Sequence, residues 1–446
     1  MIAELVLSGS YRETARQSQS LLTAARTSDF VFERFVRTCE SIRRNRRADQ
    51  VLVRVKRSFQ APTVAALEEI RGELARLRDA GKRLVFFATE YTAPHLYLAS
   101  VCHERLLHPQ GSLRAPGLAR TSIFFRRLAD QYDFSIQVAR RGRFKSASDR
   151  LRLEHMDEAD REQYQRWLDV GAGNLMETIR SGYGAADTQI QELLSGKTLT
   201  PEEARDAGWI DRACSYQRLR EELDEAKTRV RRLKPRKHIG RGKRVAVLVF
   251  EGGIVEGGNQ SNPILGQMIG SERFTREVDA LRKNKRVKAV VLRVNSGGGS
   301  AVASEEIRHA LARLAARKPL VVSMSQVAGS GGYWISMSGH AVLARATTLT
   351  GSIGVINLVA SIGAALEKQG ITHDTLRTHD HADALLAFRP LTEEEHAQLD
   401  HQVASIYEQF LALVAEHRDL TRDEVHERAQ GRVWSGLDAH AQRLVD

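Results

Sequence analysis

Two glycine-rich turns hold the residues of this chain best suited to chemistry. The first is Asn295-Ser296-Gly297-Gly298-Gly299-Ser300, and the second is Ala328-Gly329-Ser330-Gly331-Gly332-Tyr333. Each closely follows an apolar run that reads as a strand. A turn leading into a helix presents free backbone N–H groups at a positive dipole end. Glycine lets a substrate backbone approach, because no Cβ stands in the way. Ser330 then reads as an exposed hydroxyl beside an anion hole. The Gly331 N–H follows it, and Gly298 or Gly299 offers a second donor. Such donors stabilise a tetrahedral oxyanion, each by roughly a hundred- to a thousand-fold in rate. The same turns equally suit tight backbone packing with no chemistry, so spacing alone leaves both readings open.

A serine nucleophile needs a base. His373, His379 and His381 cluster in the same half of the chain, in a segment that reads as polar loop, where histidines are usually surface residues. Lysine is the other candidate. With a reference pKa near 10.4, only about one lysine in 10³ is neutral at pH 7. A lysine base therefore needs burial or nearby positive charge. After Ser330 the chain has only Lys368, in the helical-looking Ala364–Gln369. Lys145 lies in Val138–Asp149, just after the strand-like Phe134–Val138. Its neighbours Arg140, Arg141 and Arg143 are expected to lower its pKa. On pattern alone Lys145 also fits a solvated charge in a basic run.

The elements that must position these residues recur along the chain. Gly196–Asp211 (GKTLTPEEARDAGWID) aligns without gaps with Gly431–Asp446 (GRVWSGLDAHAQRLVD), 235 positions later. Val53–Val55 with Glu68–Arg71 recurs as Leu292–Val294 with Glu305–Arg308. Tyr97–Ser100 recurs as Tyr333–Ser336, and Gln110–Leu113 as Thr350–Ile353. Four pairs in order, at offsets of 235 to 240, predict two tandem copies, 1–225 and 243–446. A Lys/Arg-rich linker, 226–242, joins them. Within a copy, Val287–Val294 reads as a buried strand. Ser304–Ala316 carries Ile307, Leu311 and Leu314 at helical spacing, and Leu320–Met324 is the next strand. That order predicts βαβ units: an α/β fold with a mainly parallel sheet and outer helices.

Composition narrows the function classes. The 446 residues carry 67 Lys and Arg against 55 Asp and Glu, a net charge of +12. The basic residues are spread out and not interleaved with aromatics, so no nucleic-acid partner is expected. Cys39, Cys102 and Cys214 are far apart and form neither a metal spacing nor a disulfide framework. No apolar run approaches the roughly 18 residues that cross a membrane. Met1–Ser10 reads as a first core strand, not a signal segment. Gly196-Lys197-Thr198 is no P-loop, because Gln191 stands where the earlier glycine is required. No cofactor and no metal are expected.

Four segments together resemble a known family. They are Leu292–Ser300 (LRVNSGGGS), Ser323–Ser336 (SMSQVAGSGGYWIS), Leu349–Val355 (LTGSIGV) and Gly142–Ala147 (GRFKSA). With the tandem repeat, they are similar to the signal peptide peptidase A (protease IV) family in its long form. The resemblance covers nearly the whole chain. It implies a fold shared with the Clp protease proteolytic subunit and the crotonases. It implies a Ser-Lys dyad, with Ser330 as nucleophile and Lys145 as base, and Ser352 orienting the lysine. It further implies peptide substrates such as signal-peptide remnants, a homotetramer, possible membrane-surface association, and a bacterial inner membrane location facing the periplasm.

The repeat fits a division of labour. Aligning Tyr97 with Tyr333 sets Pro94 opposite Ser330, so the first copy lacks a nucleophile. Its counterpart of the first glycine turn is Lys56-Arg57-Ser58-Phe59, without a glycine pair. The counterpart of Lys145 falls near His381. The degenerate first copy would supply the base, buried where the copies meet, and the second the serine and the oxyanion hole. Gly297 stands where the family usually has proline, and Gly329 where it usually has alanine. The alternatives are an inactive scaffold on the same fold and a crotonase-type acyl-CoA enzyme.

Overall fold

The computed structural model describes residues 1–15, 29–233, 242–262 and 266–446. It contains two compact units. One comprises residues 1–119 and 169–242, the other 120–168 and 243–446. The sequence repeat and the compact units are thus different divisions of the chain. Residues 120–168 precede the linker in sequence but group with the C-terminal residues.

The first unit is built on a parallel sheet. Its strand order is Arg212–Ala213, Glu104–Leu107, Arg83–Ala88, Gln50–Val55, Ile2–Leu7, Val230–Arg231. The three central strands are runs of Val, Leu, Ile and Phe buried on both faces, the pattern of a parallel sheet covered by helices. Helix Val64–Asp79 links two of them. The Thr63 side chain caps it by accepting from the Ala66 N–H, and Leu67, Ile70, Leu74 and Leu77 are buried. Pro94 sits in the first turn of helix Ala93–Ala99, where its missing N–H costs nothing.

The linker expectation needs correction. Val230–Arg231 pairs in parallel with Ile2–Ala3 as the sheet's edge strand. Arg232 then donates to the buried Glu4 carboxylate at 2.9 Å. A β-branched residue and an ion pair hold this stretch to the sheet. Residues 234–241 of the linker lie outside the described residues.

The second unit repeats the plan. Its parallel strands run in the order Arg244–Glu251, Val287–Ser296, Leu320–Gly329, Leu349–Gly351. Antiparallel Val433–Ser435 follows, and Ala341–Leu343 also pairs with Leu320–Gly329. Helix Ala301–Ala315 begins earlier than its apolar spacing predicts, because the Ser300 side chain caps it from the Ala303 N–H. Ile307, Leu311 and Leu314 pack with Val290, Leu292, Val294 and Val322 in the core. Both units are therefore α/β, with mainly parallel sheets and helices packed on them.

One further element of the second unit matters for the site. Ser135–Arg141 and Val355–Ser361 form an antiparallel ribbon, against which helix Glu393–Arg418 packs. Among the described residues no helix is long and apolar enough to cross a membrane.

Candidate active site

The candidate residues meet inside the second unit. Ser330 sits between strand Leu320–Gly329 and helix Gly331–Ser336 with φ 53° and ψ −121°. A left-handed φ is uncommon for a residue with a Cβ, and such strain, of order 1–3 kcal/mol, clusters at functional turns. The surroundings enforce it. The Ser330 N–H donates to Gly351 O at 2.9 Å, and Ser330 O accepts from the Trp334 N–H at 2.9 Å. The other glycine turn packs directly against it. A Cβ on Gly298, whose φ is +99°, would lie 2.8 Å from Ser330 Cβ and 2.5 Å from Gly331 N. Glycine is required there so that the two turns can touch.

Lys145 lies in the loop that follows the ribbon strand Ser135–Arg141. It is 4% exposed. Its Nζ is 3.0 Å from Ser330 Oγ, 2.8 Å from Ser352 O and 3.0 Å from Ser352 Oγ. Burial alone pulls its pKa down from 10.5 to about 7. The expected influence of the arginines is absent, and carboxylates engage two of the three. Arg140 pairs with Asp149 at 2.9 Å and donates to Lys145 O at 3.3 Å, while Arg141 pairs with Asp400 at 2.6 Å. Arg140 thus secures the lysine's backbone. The burial also arises within one compact unit, since 120–168 belongs with the C-terminal residues.

Ser352 follows strand Leu349–Gly351, also with a left-handed φ of 52°. Its N–H donates to Arg432 O at 2.7 Å. Sequence reasoning missed this C-terminal partner. Gln430–Arg432 closes over the lysine loop: Phe144 N–H donates to Gln430 O at 2.8 Å, and Gly431 N–H to Ile353 O at 2.7 Å. A Cβ on Gly431 would lie 2.6 Å from Lys145 Cβ. Gly431 opens the repeated Gly431–Asp446 segment, a sequence signal read only as a sign of duplication.

The expected oxyanion donors differ in availability. Gly331 is the first residue of its helix, so its N–H precedes the helical ladder. The bridge between Ile254 and Gly299 uses Gly298 O and the Ser300 N–H, leaving the Gly299 N–H outside it. The Gly298 N–H is instead donated to Ser296 Oγ at 3.2 Å. That favours Gly299 over Gly298 as the partner of Gly331. The histidines stay apart from this cluster. His381 is 2.9 Å from Glu395, His379 contacts Thr378, and His373 stacks on Phe388.

The sequence profile of peptidase family S49 matches residues 76–230 and 312–446. The chain belongs to peptidase family S49. Its second matched segment contains Ser330 and Ser352, and its first contains Lys145. Protease 4 of Salmonella typhi is 30% identical over 410 residues, covering 87% of this chain and 65% of that protein. Protease 4 of Haemophilus influenzae is 29% identical over 412 residues, 87% of this chain and 66% of that protein. The chloroplastic serine protease SPPA of Arabidopsis thaliana is 29% identical over 399 residues, 85% of this chain and 58% of that protein. The chain thus spans about two-thirds or less of the length of these relatives.

Proposed function

We propose that this chain is a serine endopeptidase with a Ser-Lys dyad, acting on cleaved signal peptides or other small apolar peptides. The observation that carries the reading is the buried Lys145 amine, within 3.0 Å of Ser330 Oγ and of both Ser352 oxygens. A neutral amine has two N–H groups and one lone pair. The Ser352 carbonyl and hydroxyl oxygens accept the two N–H groups. The lone pair then faces the Ser330 hydroxyl and takes its proton as Oγ attacks the scissile carbonyl.

The Gly331 and Gly299 N–H groups stabilise the oxyanion. The Lys145 ammonium returns its proton to the leaving amine, and a water activated by the same lysine then hydrolyses the acyl-enzyme. General-base assistance of this kind contributes ~10²–10⁴-fold. The S49 membership and the protease names of the relatives support the activity, and the family resemblance supports the substrate class, the tandem division into a base-supplying and a serine-supplying copy, and a homo-oligomer.

Ser330→Ala tests the reading. Hydrolysis of casein and of a signal-peptide substrate should be abolished, along with fluorophosphonate labelling, while the fold is kept. Cleavage at the parental rate by the purified alanine variant would place the nucleophile elsewhere.

A further inference from the structure

Besides Arg140 and Gln430, the Lys145 loop is held by a buried side chain that the mechanism does not otherwise use. Gln163, on helix Glu158–Tyr183, is 2% exposed. Its Nε2 donates to Phe144 O at 3.1 Å and to Asp160 Oδ1 at 3.2 Å, with Ser146 Oγ at 3.4 Å. Its Oε1 accepts from the Val433 N–H at 3.0 Å. One amide therefore ties two backbones together. Phe144 immediately precedes Lys145. Val433 pairs with Gly351, immediately before Ser352.

We propose that Gln163 is a positioning residue for catalysis, setting the distance from the Lys145 loop to the strand pair that frames Ser352 and Ser330. The proposal rests on reading Lys145 as the base. A primary amide meets both demands at this length, donating to a carbonyl at one end and accepting from an N–H at the other. A carboxylate would face the Phe144 carbonyl with no proton to give, beside Asp160. The Phe144 N–H is already committed to Gln430 O at 2.8 Å, so the amide fixes the second polar group of that residue. Without it the loop keeps its ribbon and its Phe144 N–H bond to Gln430 O but loses the direct link from the Phe144 carbonyl to the Val433 N–H. A displacement of about 1 Å between base and nucleophile is enough to lower a rate on the order of 10²-fold.

The test uses the full chain carrying Gln163→Leu and, separately, Gln163→Met, which keeps more volume and flexibility. Kinetics on a fluorogenic apolar peptide are expressed per folded molecule, from circular dichroism, as a function of pH. The expected result is a fall in kcat on the order of 10²-fold with KM unchanged. The acid limb should also move to higher pH, because a loosened lysine gains water and regains basicity. Parental kcat and acid limb in either folded variant overturn the proposal, even if the variant melts earlier. Failure of both variants to fold at any temperature also overturns it, since the amide would then serve folding alone. Lys145→Met is measured in parallel. Parental activity there removes the dyad reading itself, whereas loss there with parental Gln163 variants removes only the role of Gln163.

Discussion

Lys145 Nζ lies 3.0 Å from Ser330 Oγ, although 185 residues separate the two in the chain. The contact by itself suits an ordinary ammonium donating to the serine oxygen; the proposed base role is what requires an unusual lysine. An ammonium donates only, whereas a base at this position must accept the serine proton. The site supplies the condition through burial, and the cost of burial has consequences that can be measured.

Stability should depend on the charge state of Lys145. Its pKa falls from 10.5 in the unfolded chain to about 7 in the folded one. Below about pH 7 both states hold the proton, and the folded state bears the full cost of a buried ammonium. Between about 7 and 10.5 only the unfolded state holds it, so this contribution to stability improves as pH rises. Lys145→Met, which keeps the apolar stem, should therefore be more stable than the parent at pH 5 to 6, by up to about 5 kcal/mol. The gain should shrink toward pH 10. Denaturant unfolding at several pH values checks this, and a gain that grows with pH would contradict it.

Ser352 offers the amine two oxygens, and Ser352→Ala removes only the hydroxyl at 3.0 Å. The carbonyl at 2.8 Å remains. Losing one hydrogen bond should cost about two- to ten-fold in kcat/KM. Steady-state kinetics should place this variant well above Lys145→Met.

The glycines of the two turns should respond differently to alanine. At Gly298 a Cβ would collide with Gly331 N at 2.5 Å, and φ is +99°. Gly298→Ala should push the serine turn out of place and lower kcat/KM on the order of 10²-fold or more. At Gly329 the nearest atom to a new Cβ is Ser352 Cβ at 3.4 Å. Gly329→Ala should keep its activity and gain about 0.4–1 kcal/mol by restricting the unfolded chain. Thermal melts and kinetics on the two variants distinguish the cases.

Much of the scaffold was legible because it is local. Val287–Val294 and Leu320–Met324 announce strands by β-branched runs, and Ile307, Leu311 and Leu314 a helix by spacing. The glycines around Ser330 mark a turn for the same reason. The state of Lys145 was not legible in this way. Its adjacent arginines suggested electrostatic depression, yet Arg140 and Arg141 are neutralised by Asp149 and Asp400. The actual cause, burial under Gln430–Arg432, depends on contacts across some 285 positions of sequence. Val230–Arg231 was hidden likewise, since two residues become a strand only because Ile2–Ala3 offers an edge.

The central claim is that Lys145 activates Ser330. Its most direct test is the rate of fluorophosphonate modification of Ser330, followed by intact mass, in the parent and in folded Lys145→Met at pH 8. The rate should be at least ~10²-fold lower in the variant, as loss of a general base requires. A variant that reacts at the parental rate would contradict it.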